Sequence, residues 1–85
     1  MIMKYFVYLL ESLLDKSYYI GVTNDIQRRF KEHNTGKSKY TKTKVPWKLI
    51  AYKEFDDIRK AYSIEKKLKR SKKREYIKKY FNILN

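Results

Sequence analysis

Cysteine is absent from this chain of 85 residues. Its absence excludes a disulfide framework and a thiolate metal site, so the hydrophobic core alone has to stabilise the fold. It also permits a reducing compartment, and we expect a cytoplasmic location. Proline occurs once and glycine twice. Neither an internal repeat nor a linker long enough to divide the chain is present, which predicts one domain over residues 1–85.

Long hydrophobic runs are also missing. The N-terminal apolar run covers residues 5–10, whereas a signal peptide needs a longer run and a membrane-spanning helix needs about 20 residues. We therefore predict neither a targeting segment nor a membrane partner. The apolar fraction of 42%, with nine Tyr, four Phe and one Trp, is sufficient for the core of one small globular domain.

Acidic residues are few. Nine Asp and Glu stand against 22 Lys and Arg, which gives a net charge of +13, and residues 59–85 hold eleven basic and two acidic side chains. Such a surface attracts polyanions, and phosphate contacts release counterions, so we predict a nucleic-acid partner. A ribosome-like or general excess of lysine is the alternative. The candidate nucleic-acid-binding residues are Arg28, Lys37, Lys39, Lys42, Lys66, Lys69, Arg70, Lys72 and Lys73.

The hydrophobic pattern predicts three strands. Consecutive apolar residues over 4–12 are typical of a central strand covered on both faces, and residues 17–23 predict its hairpin partner. A third strand is expected at 48–55. Before it, residues 35–47 lack periodicity and predict an exposed, cationic loop.

Helices are expected at three places. The first follows Asn24, which is placed as the N-cap with Gln27 at N3 in a capping box, and it ends before Gly36. The second covers 58–70 and the third covers 72–82. The order β-β-α-β-α-α predicts the α+β class, with a three-stranded antiparallel sheet flanked by helices.

One face of the first helix carries two apolar and two chemically active side chains. Ile26, Arg29, Phe30 and His33 follow helical spacing. Since Ile26 and Phe30 must face the core, Arg29 and His33 are expected at the edge of the buried side. An arginine there is more often an ion-pairing residue than a catalytic one, and a lone histidine calls for the same caution, so both interpretations stay open.

The second helix contains a carboxylate within an apolar stripe. Glu65 lies between Ala61 and Leu68, in a stripe that starts at Ile58. A buried carboxylate is costly unless it is paired or bound to a metal. Its partner is therefore either a nearby Lys or Arg or a divalent cation, and the helix alone does not decide between them.

Two tyrosines, Tyr8 and Tyr19, lie on neighbouring predicted strands and are expected to face the same side of the hairpin. Core packing is the ordinary explanation for either one in a chain with nine tyrosines. Gly21 follows Tyr19 by two residues. It marks either a bulge or a place where a ligand approaches the backbone.

Taken together, these residues resemble the GIY-YIG nuclease superfamily, in particular its small members that consist of one domain. The first motif is present as "FVY" at 6–8, without the glycine and isoleucine of the family, and the second as "YIG" at 19–21. Ten residues separate the two tyrosines, as is usual in the family. An arginine of the first helix, followed four residues later by His or Tyr, matches Arg29 and His33.

The resemblance continues through the second half of the chain. The segment "YSIEKKLKR" at 62–70 is similar to the helix that carries the metal-binding glutamate of the family, which falls on Glu65. Asn82 is similar to a C-terminal asparagine of the family. No single motif is specific, but their order and spacing together are.

The resemblance implies a role for each of these side chains. Tyr8 acts as the general base on the nucleophilic water, and nearby cations have to favour its deprotonated form because a free phenol has a pKa of about 10. Arg29 binds the scissile phosphate. Tyr19 orients phosphate or water, and His33 assists as a donor or proton shuttle. Glu65 holds one Mg²⁺ or Mn²⁺ ion, with no second carboxylate to share it.

The resemblance also implies an endonuclease, a hydrolase of phosphodiester bonds. Its expected substrate is DNA, with branched or damaged DNA among the candidates and RNA kept open. Because members of the family commonly draw their targeting from additional domains, a protein partner that supplies targeting is a further candidate.

Three other functions compete with this one. The main alternative is a nucleic-acid-binding module without catalysis, which explains the charge but not the carboxylate on the apolar stripe. A restriction-type nuclease ranks low, since its Glu-x-Lys lies on a strand whereas 65–67 lie in a helical pattern. The third is a structural or ribosome-associated protein.

Overall fold

The computed structural model describes residues 3–71 and 73–83. Its elements are the strands β1 (Tyr5–Ser12), β2 (Tyr18–Thr23) and β3 (Trp47–Phe55) and the helices α1 (Ile26–Asn34), α2 (Ile58–Ser71) and α3 (Arg74–Tyr80). The predicted order β-β-α-β-α-α and the α+β class are confirmed. No helix of the described residues is long and apolar enough to cross a bilayer.

The strand β1 lies in the centre of the antiparallel sheet, in the order β2-β1-β3. Its residues 7–10 are all buried. Val7 and Leu9 pack in a cluster with side chains of α2, whereas Tyr8 and Leu10 pack on the side of α1. The predicted central strand, covered on both faces, is therefore confirmed.

The strand β2 forms one edge of the sheet and pairs only with β1 among the described strands. The register places Tyr8 opposite Gly21 and Leu10 opposite Tyr19. Since side chains two residues apart on a strand share a face, Tyr8 and Tyr19 lie on the same side of the hairpin, as expected.

The first turn of α1 differs from the prediction. Asp25 is the N-cap, not Asn24: its backbone is extended and its carboxylate accepts a hydrogen bond from the N–H of Arg28 at 3.1 Å. A carboxylate is favoured at this end by the helix dipole. The predicted stop is confirmed, because Gly36 follows the last turn with a φ of +80°.

The boundary between α2 and α3 also differs. The helix α2 continues to Ser71, α3 begins at Arg74, and α3 ends at Tyr80 instead of Asn82. Ser71 therefore belongs to the second helix, where its hydroxyl bonds the carbonyl of Leu68 at 3.0 Å. The predicted binding residue Lys72 lies outside the described residues.

The loop between α1 and β3 is more ordered than an exposed cationic loop. Ser38 and Thr41 are buried, and a short 3-10 helix spans Lys42–Lys44. The indole N–H of Trp47 donates to the carbonyl of Thr41 at 2.9 Å, and Trp47 is only 4% exposed. The loop is therefore packed on the sheet, and its lysines face outward around a buried polar centre.

Candidate active site

Three of the predicted site residues meet on the α1 side of the sheet. Tyr8 Oη lies 2.9 Å from Nε2 of His33. The rings of Tyr19 and His33 have centroids 4.8 Å apart, and those of Tyr8 and Tyr19 are 6.3 Å apart. His33 is completely buried. It lies deeper than the edge position that its helical spacing predicts.

Gly21 provides the space for the ring of Tyr8. A Cβ at position 21 would lie 2.6 Å from Cζ of Tyr8 and 2.9 Å from its Cε1, closer than real side-chain atoms approach. The pairing of β1 with β2 continues through Gly21 without a shift in register. The glycine therefore does not mark a bulge, and its lack of a side chain makes room for the phenol of Tyr8 over the edge strand.

Arg29 lies at the exposed side of this cluster. Its Nη1 donates to Glu32 at 2.8 Å, and its side chain keeps 33% of its surface exposed. The ion pair expected for an arginine at the edge of the helix is therefore present, but a guanidinium has five donors. A groove of about 390 Å³ opens beside Arg29, with Asn24, Arg28 and Tyr62 also in its lining.

The environment holds Tyr8 in its neutral form. Burial raises the pKa of Tyr8, and Tyr19 and Glu65 act in the same direction, whereas the positive charge of Arg29 lowers it. Arg29 therefore favours the deprotonated form that a tyrosine base requires, but burial has the larger effect on the pKa of Tyr8. The phenolate form needs further stabilisation that the described side chains do not supply by charge alone.

His33 is neutral for a related reason. Burial lowers its pKa to about 4, and the positive charge of Arg29 acts in the same direction. A neutral imidazole has one donor and one acceptor nitrogen. At neutral pH, one ring nitrogen of His33 therefore donates a hydrogen bond and the other accepts one, and the imidazole is uncharged.

Glu65, on α2, is connected to the same edge strand through Lys69. Its Oε2 lies 3.3 Å from Nζ of Lys69, and this Nζ is 5.5 Å from the centroid of the Tyr19 ring. The Glu65 side chain is 20% exposed, whereas Ala61 and Leu68 are buried. Glu65 thus lies at the margin of the apolar stripe, and its partner in the structure is Lys69.

The donor set of the site is compatible with one hydrated cation. Within residues 3–71 and 73–83, no three His, Asp or Glu side chains come together as metal ligands. Mg²⁺ commonly keeps several waters and binds one or two carboxylates together with substrate phosphate. Glu65 fits that pattern for Mg²⁺ or Mn²⁺.

Thr41 is the residue of this site that the sequence did not reveal. Its Oγ1 lies 2.7 Å from Nδ1 of His33, and its side chain is completely buried. The segment around Thr41 has no periodicity, so its own sequence gives no signal. The available signal is indirect: a buried histidine needs a partner for both ring nitrogens.

Of the remaining candidates, Lys69 borders the cluster at the Tyr19 ring and Arg28 lines the groove beside Arg29. Asn82 is exposed in the turn after α3, and none of the side-chain hydrogen bonds of the described residues joins it to the site. The described members of the basic set are all exposed. They are Arg28, Lys37, Lys39, Lys42, Lys66, Lys69, Arg70 and Lys73.

The sheet order and the cluster of tyrosine, histidine and arginine at one sheet edge are those of the nuclease superfamily that the motifs indicated. Residues 4–80 match the profile of the GIY-YIG catalytic domain, and the chain belongs to the GIY-YIG family.

Within this family, the chain is similar to small proteins named UPF0213. It is 46% identical to UPF0213 protein of Streptococcus pneumoniae serotype 4 over 82% of this chain and 71% of that protein. It is 42% identical to UPF0213 protein lin0209 of Listeria innocua, over 87% of this chain and 86% of that protein. UPF0213 protein YsiG of Lactococcus lactis is 46% identical over 73% of this chain, and the match covers 60% of the length of YsiG.

A solved structure has the same fold. The solution NMR structure of UPF0213 protein BH0048 from Bacillus halodurans superposes with a TM-score of 0.59 at 34% identity. The match covers 95% of this chain and 85% of that one. The sheet with three helices is therefore shared along nearly the whole chain.

Proposed function

We propose that this chain is a divalent-metal-dependent endonuclease that hydrolyses phosphodiester bonds in DNA, with residues 1–85 acting as one catalytic domain. The observation that carries the proposal is the convergence on the edge strand β2. Tyr8, Tyr19 and His33 are in mutual contact, and Arg29 and Glu65 both act on Tyr8 electrostatically. Membership of the GIY-YIG family and the net charge of +13 support a nucleic-acid substrate.

Tyr8 is the proposed general base. Its phenolate would take the proton of the attacking water, and Tyr19, whose ring lies beside it, would orient that water or the phosphate. Because burial raises the pKa of Tyr8, the phenolate must be favoured by charges and donors that are strongest in the substrate complex. Arg29 is one of these, since its charge lowers the same pKa.

Arg29 is the proposed phosphate ligand. The groove of about 390 Å³ beside it also contains Arg28, so two guanidinium groups can face a phosphate there. A planar guanidinium binds two phosphoryl oxygens at once and stabilises the charge that develops on them. In this proposal, Arg29 exchanges its present contact with Glu32 for contacts with the substrate.

Glu65 is the residue that would hold Mg²⁺ or Mn²⁺. A bound divalent ion supplies positive charge to the phosphoryl oxygens and the leaving group. Lys69, which now pairs with Glu65, would then be released to contact the nucleic acid. The proposal extends to branched or damaged DNA as preferred substrates and to a protein partner that supplies targeting.

The test is cleavage of a panel of duplex, single-stranded and branched DNAs at low salt, with an RNA arm. Each substrate is incubated with Mg²⁺, with Mn²⁺ or with a chelator. We expect cleavage only with metal, and loss of cleavage in Glu65→Gln and Tyr8→Phe while folding and DNA binding persist. Cleavage that is unchanged in both variants would contradict the proposal, and unfolding of Glu65→Gln would identify the pair with Lys69 as a structural ion pair.

A non-catalytic nucleic-acid-binding module is the second candidate. It is favoured by one observation, the burial that keeps Tyr8 neutral. In that case the wild type binds DNA in a salt-dependent way, no metal produces cleavage, and Tyr8→Phe leaves DNA binding and its salt dependence unchanged.

A further inference from the structure

A buried chain of hydrogen bonds runs from Tyr8 through His33 to Thr41. Tyr8 Oη lies 2.9 Å from Nε2 of the imidazole, and Nδ1 lies 2.7 Å from Oγ1 of Thr41. Tyr8 is 2% exposed, and His33 and Thr41 are not exposed at all. Each ring nitrogen therefore has one hydroxyl partner, and the tautomer of His33 decides the direction in which both hydrogen bonds run.

The two tautomers leave different protons without a partner. If Nδ1 carries the proton, it donates to Thr41, Tyr8 donates to Nε2, and the hydroxyl proton of Thr41 needs another acceptor. If Nε2 carries the proton, Thr41 donates to Nδ1 and Nε2 donates to Tyr8. The hydroxyl proton of Tyr8 is then the one that needs an acceptor.

The surroundings of the two hydroxyl groups favour the second arrangement. Within the described ranges, His33 is the one hydrogen-bond partner of the Thr41 hydroxyl, and Thr41 has no contact with solvent. A buried hydroxyl proton without an acceptor is strongly disfavoured. The hydroxyl of Tyr8 lies over Gly21 of the edge strand and interacts with the partly exposed Arg29, and Tyr8 keeps 2% of its surface exposed. Water or a substrate oxygen can accept its proton there.

We propose that Thr41 is a positioning residue that donates its hydroxyl proton to Nδ1 and so holds His33 as the Nε2–H tautomer. His33 is then a hydrogen-bond donor to Tyr8 Oη and not the acceptor of its proton. A donor at this oxygen favours the phenolate, which is the form that the proposed general base needs. The catalytic consequence rests on the proposed function, whereas the tautomer is a property of the folded chain.

The tautomer can be measured without any substrate. The chain has one histidine, so labelling histidine with heavy nitrogen gives a single imidazole in the NMR spectrum. In the wild type at neutral pH we expect a proton on Nε2 and a bare Nδ1. A proton on Nδ1 would overturn the inference, because Thr41 would then be an acceptor.

Two variants test the role of the hydroxyl. Thr41→Val keeps the β-branched shape and removes the donor, whereas Thr41→Ser keeps the donor. We expect Thr41→Val to lose the single tautomer, seen as converging nitrogen shifts, and to lower kcat about tenfold with an unchanged KM. Thr41→Ser should restore both properties.

The outcomes separate this inference from the proposed function. If Thr41→Val is folded by its melting curve and keeps the wild-type nitrogen shifts and kcat, the inference is wrong. If Thr41→Val does not fold, the histidine tautomer in the wild type and in Thr41→Ser still tests the inference. If the wild type cleaves no substrate, the proposed function fails, and the tautomer is still decided by the spectrum.

Discussion

At the scale of single residues, the site depends on how closely the ring of Tyr8 approaches the backbone of Gly21. The ring of Tyr8 crosses the edge strand where any Cβ would collide with it, and the backbone of Gly21 is not in the left-handed region. Glycine is therefore required there by the volume of the phenol. Gly36 is required for a different reason, because its φ is +80°, whereas an added Cβ would make only an ordinary contact 3.9 Å from Cβ of Lys42.

We expect Gly21→Ala to lower the stability of the fold by about 1–3 kcal/mol, the usual cost of overpacking. It should also displace the Tyr8 ring and reduce DNA cleavage far more than DNA binding. Gly36→Ala is the matched control: its unfavourable φ costs about 1–2 kcal/mol but leaves cleavage intact. Chemical denaturation and kcat measure the two effects, and an unchanged kcat in Gly21→Ala would contradict the close packing of Tyr8.

His33 makes the stability of the fold dependent on pH. Its pKa falls from 6.5 to about 4 on folding, so the unfolded chain takes up the proton first as the pH decreases. Stability should therefore be fully present above pH 6.5 and be lost as the pH falls towards about 4, at up to about 1.4 kcal/mol per pH unit. Urea denaturation across this range measures the loss.

His33→Gln provides the control for this prediction, because it removes the titrating group and keeps an N–H near the position of Nε2. The pKa values of Glu32 and Asp57 are lowered in the fold, which places their own losses of stability at more acidic pH. The difference between wild type and His33→Gln should therefore vary with pH between about 4 and 6.5. An equal pH dependence in both proteins would show that His33 is not the group responsible.

At the scale of the elements, one side chain fixes the loop that carries Thr41. The amide of Asn34, at the end of α1, accepts from the N–H of Trp47 at 2.5 Å and donates to its carbonyl at 3.1 Å. It thus pairs with the first residue of β3 as a neighbouring strand would. The loop over residues 35–46 is closed at its base, and Thr41 is held against His33.

Removing this amide should loosen the loop. We expect Asn34→Leu to destabilise the fold by about 2 kcal/mol, since two hydrogen bonds at about 1 kcal/mol each are lost. Hydrogen exchange of the loop amides should accelerate more than exchange in β1. Thr35→Val is the control, because the Thr35 hydroxyl is exposed and bonds only the preceding turn. Equal exchange in both variants would show that Asn34 does not close the loop.

The same loop shows what the sequence could and could not predict. The strands and the order of the elements were readable, because β1 carries a continuous apolar run over residues 5–10 and α2 carries a helical stripe. Tyr8, Tyr19 and His33 could be grouped only through the family motifs, since strand register does not follow from composition. Thr41 was not readable. Its role arises from the folding of an unpatterned loop onto a histidine, which depends on contacts distant in the sequence.

Local competition between polar residues explains the smaller differences. Asn24 and Asp25 are both good N-caps, and the carboxylate gains additional stabilisation from the helix dipole. The spacing of Glu65 placed it on the apolar stripe of α2, but its side chain extends to the margin of that stripe and pairs with Lys69. Sequence periodicity gives the face of a helix, and it does not resolve where a long side chain ends.

At the scale of the whole molecule, the net charge of +13 implies salt-dependent binding of nucleic acid, whether or not the chain is an enzyme. A contact with each phosphate contributes about 0.9 to the slope of log K against log salt. The location of the charges matters as well as their sum. If the helices α2 and α3 form the binding surface, their exposed cations should contribute more than cations elsewhere.

A pair of triple variants tests this. One variant changes Lys66, Arg70 and Lys73 to Gln, and the other changes Lys4, Lys31 and Lys48, which lie outside α2 and α3, to Gln. Both remove the same charge from sites that are all exposed. We expect the first set to reduce the salt slope by up to about 2.7 and to weaken binding evenly across DNA sequences. The second set should change the slope much less. Because both variants have the same net charge, equal effects would mean that the overall field attracts DNA without a defined surface, and a larger effect of the second set would move that surface away from α2 and α3.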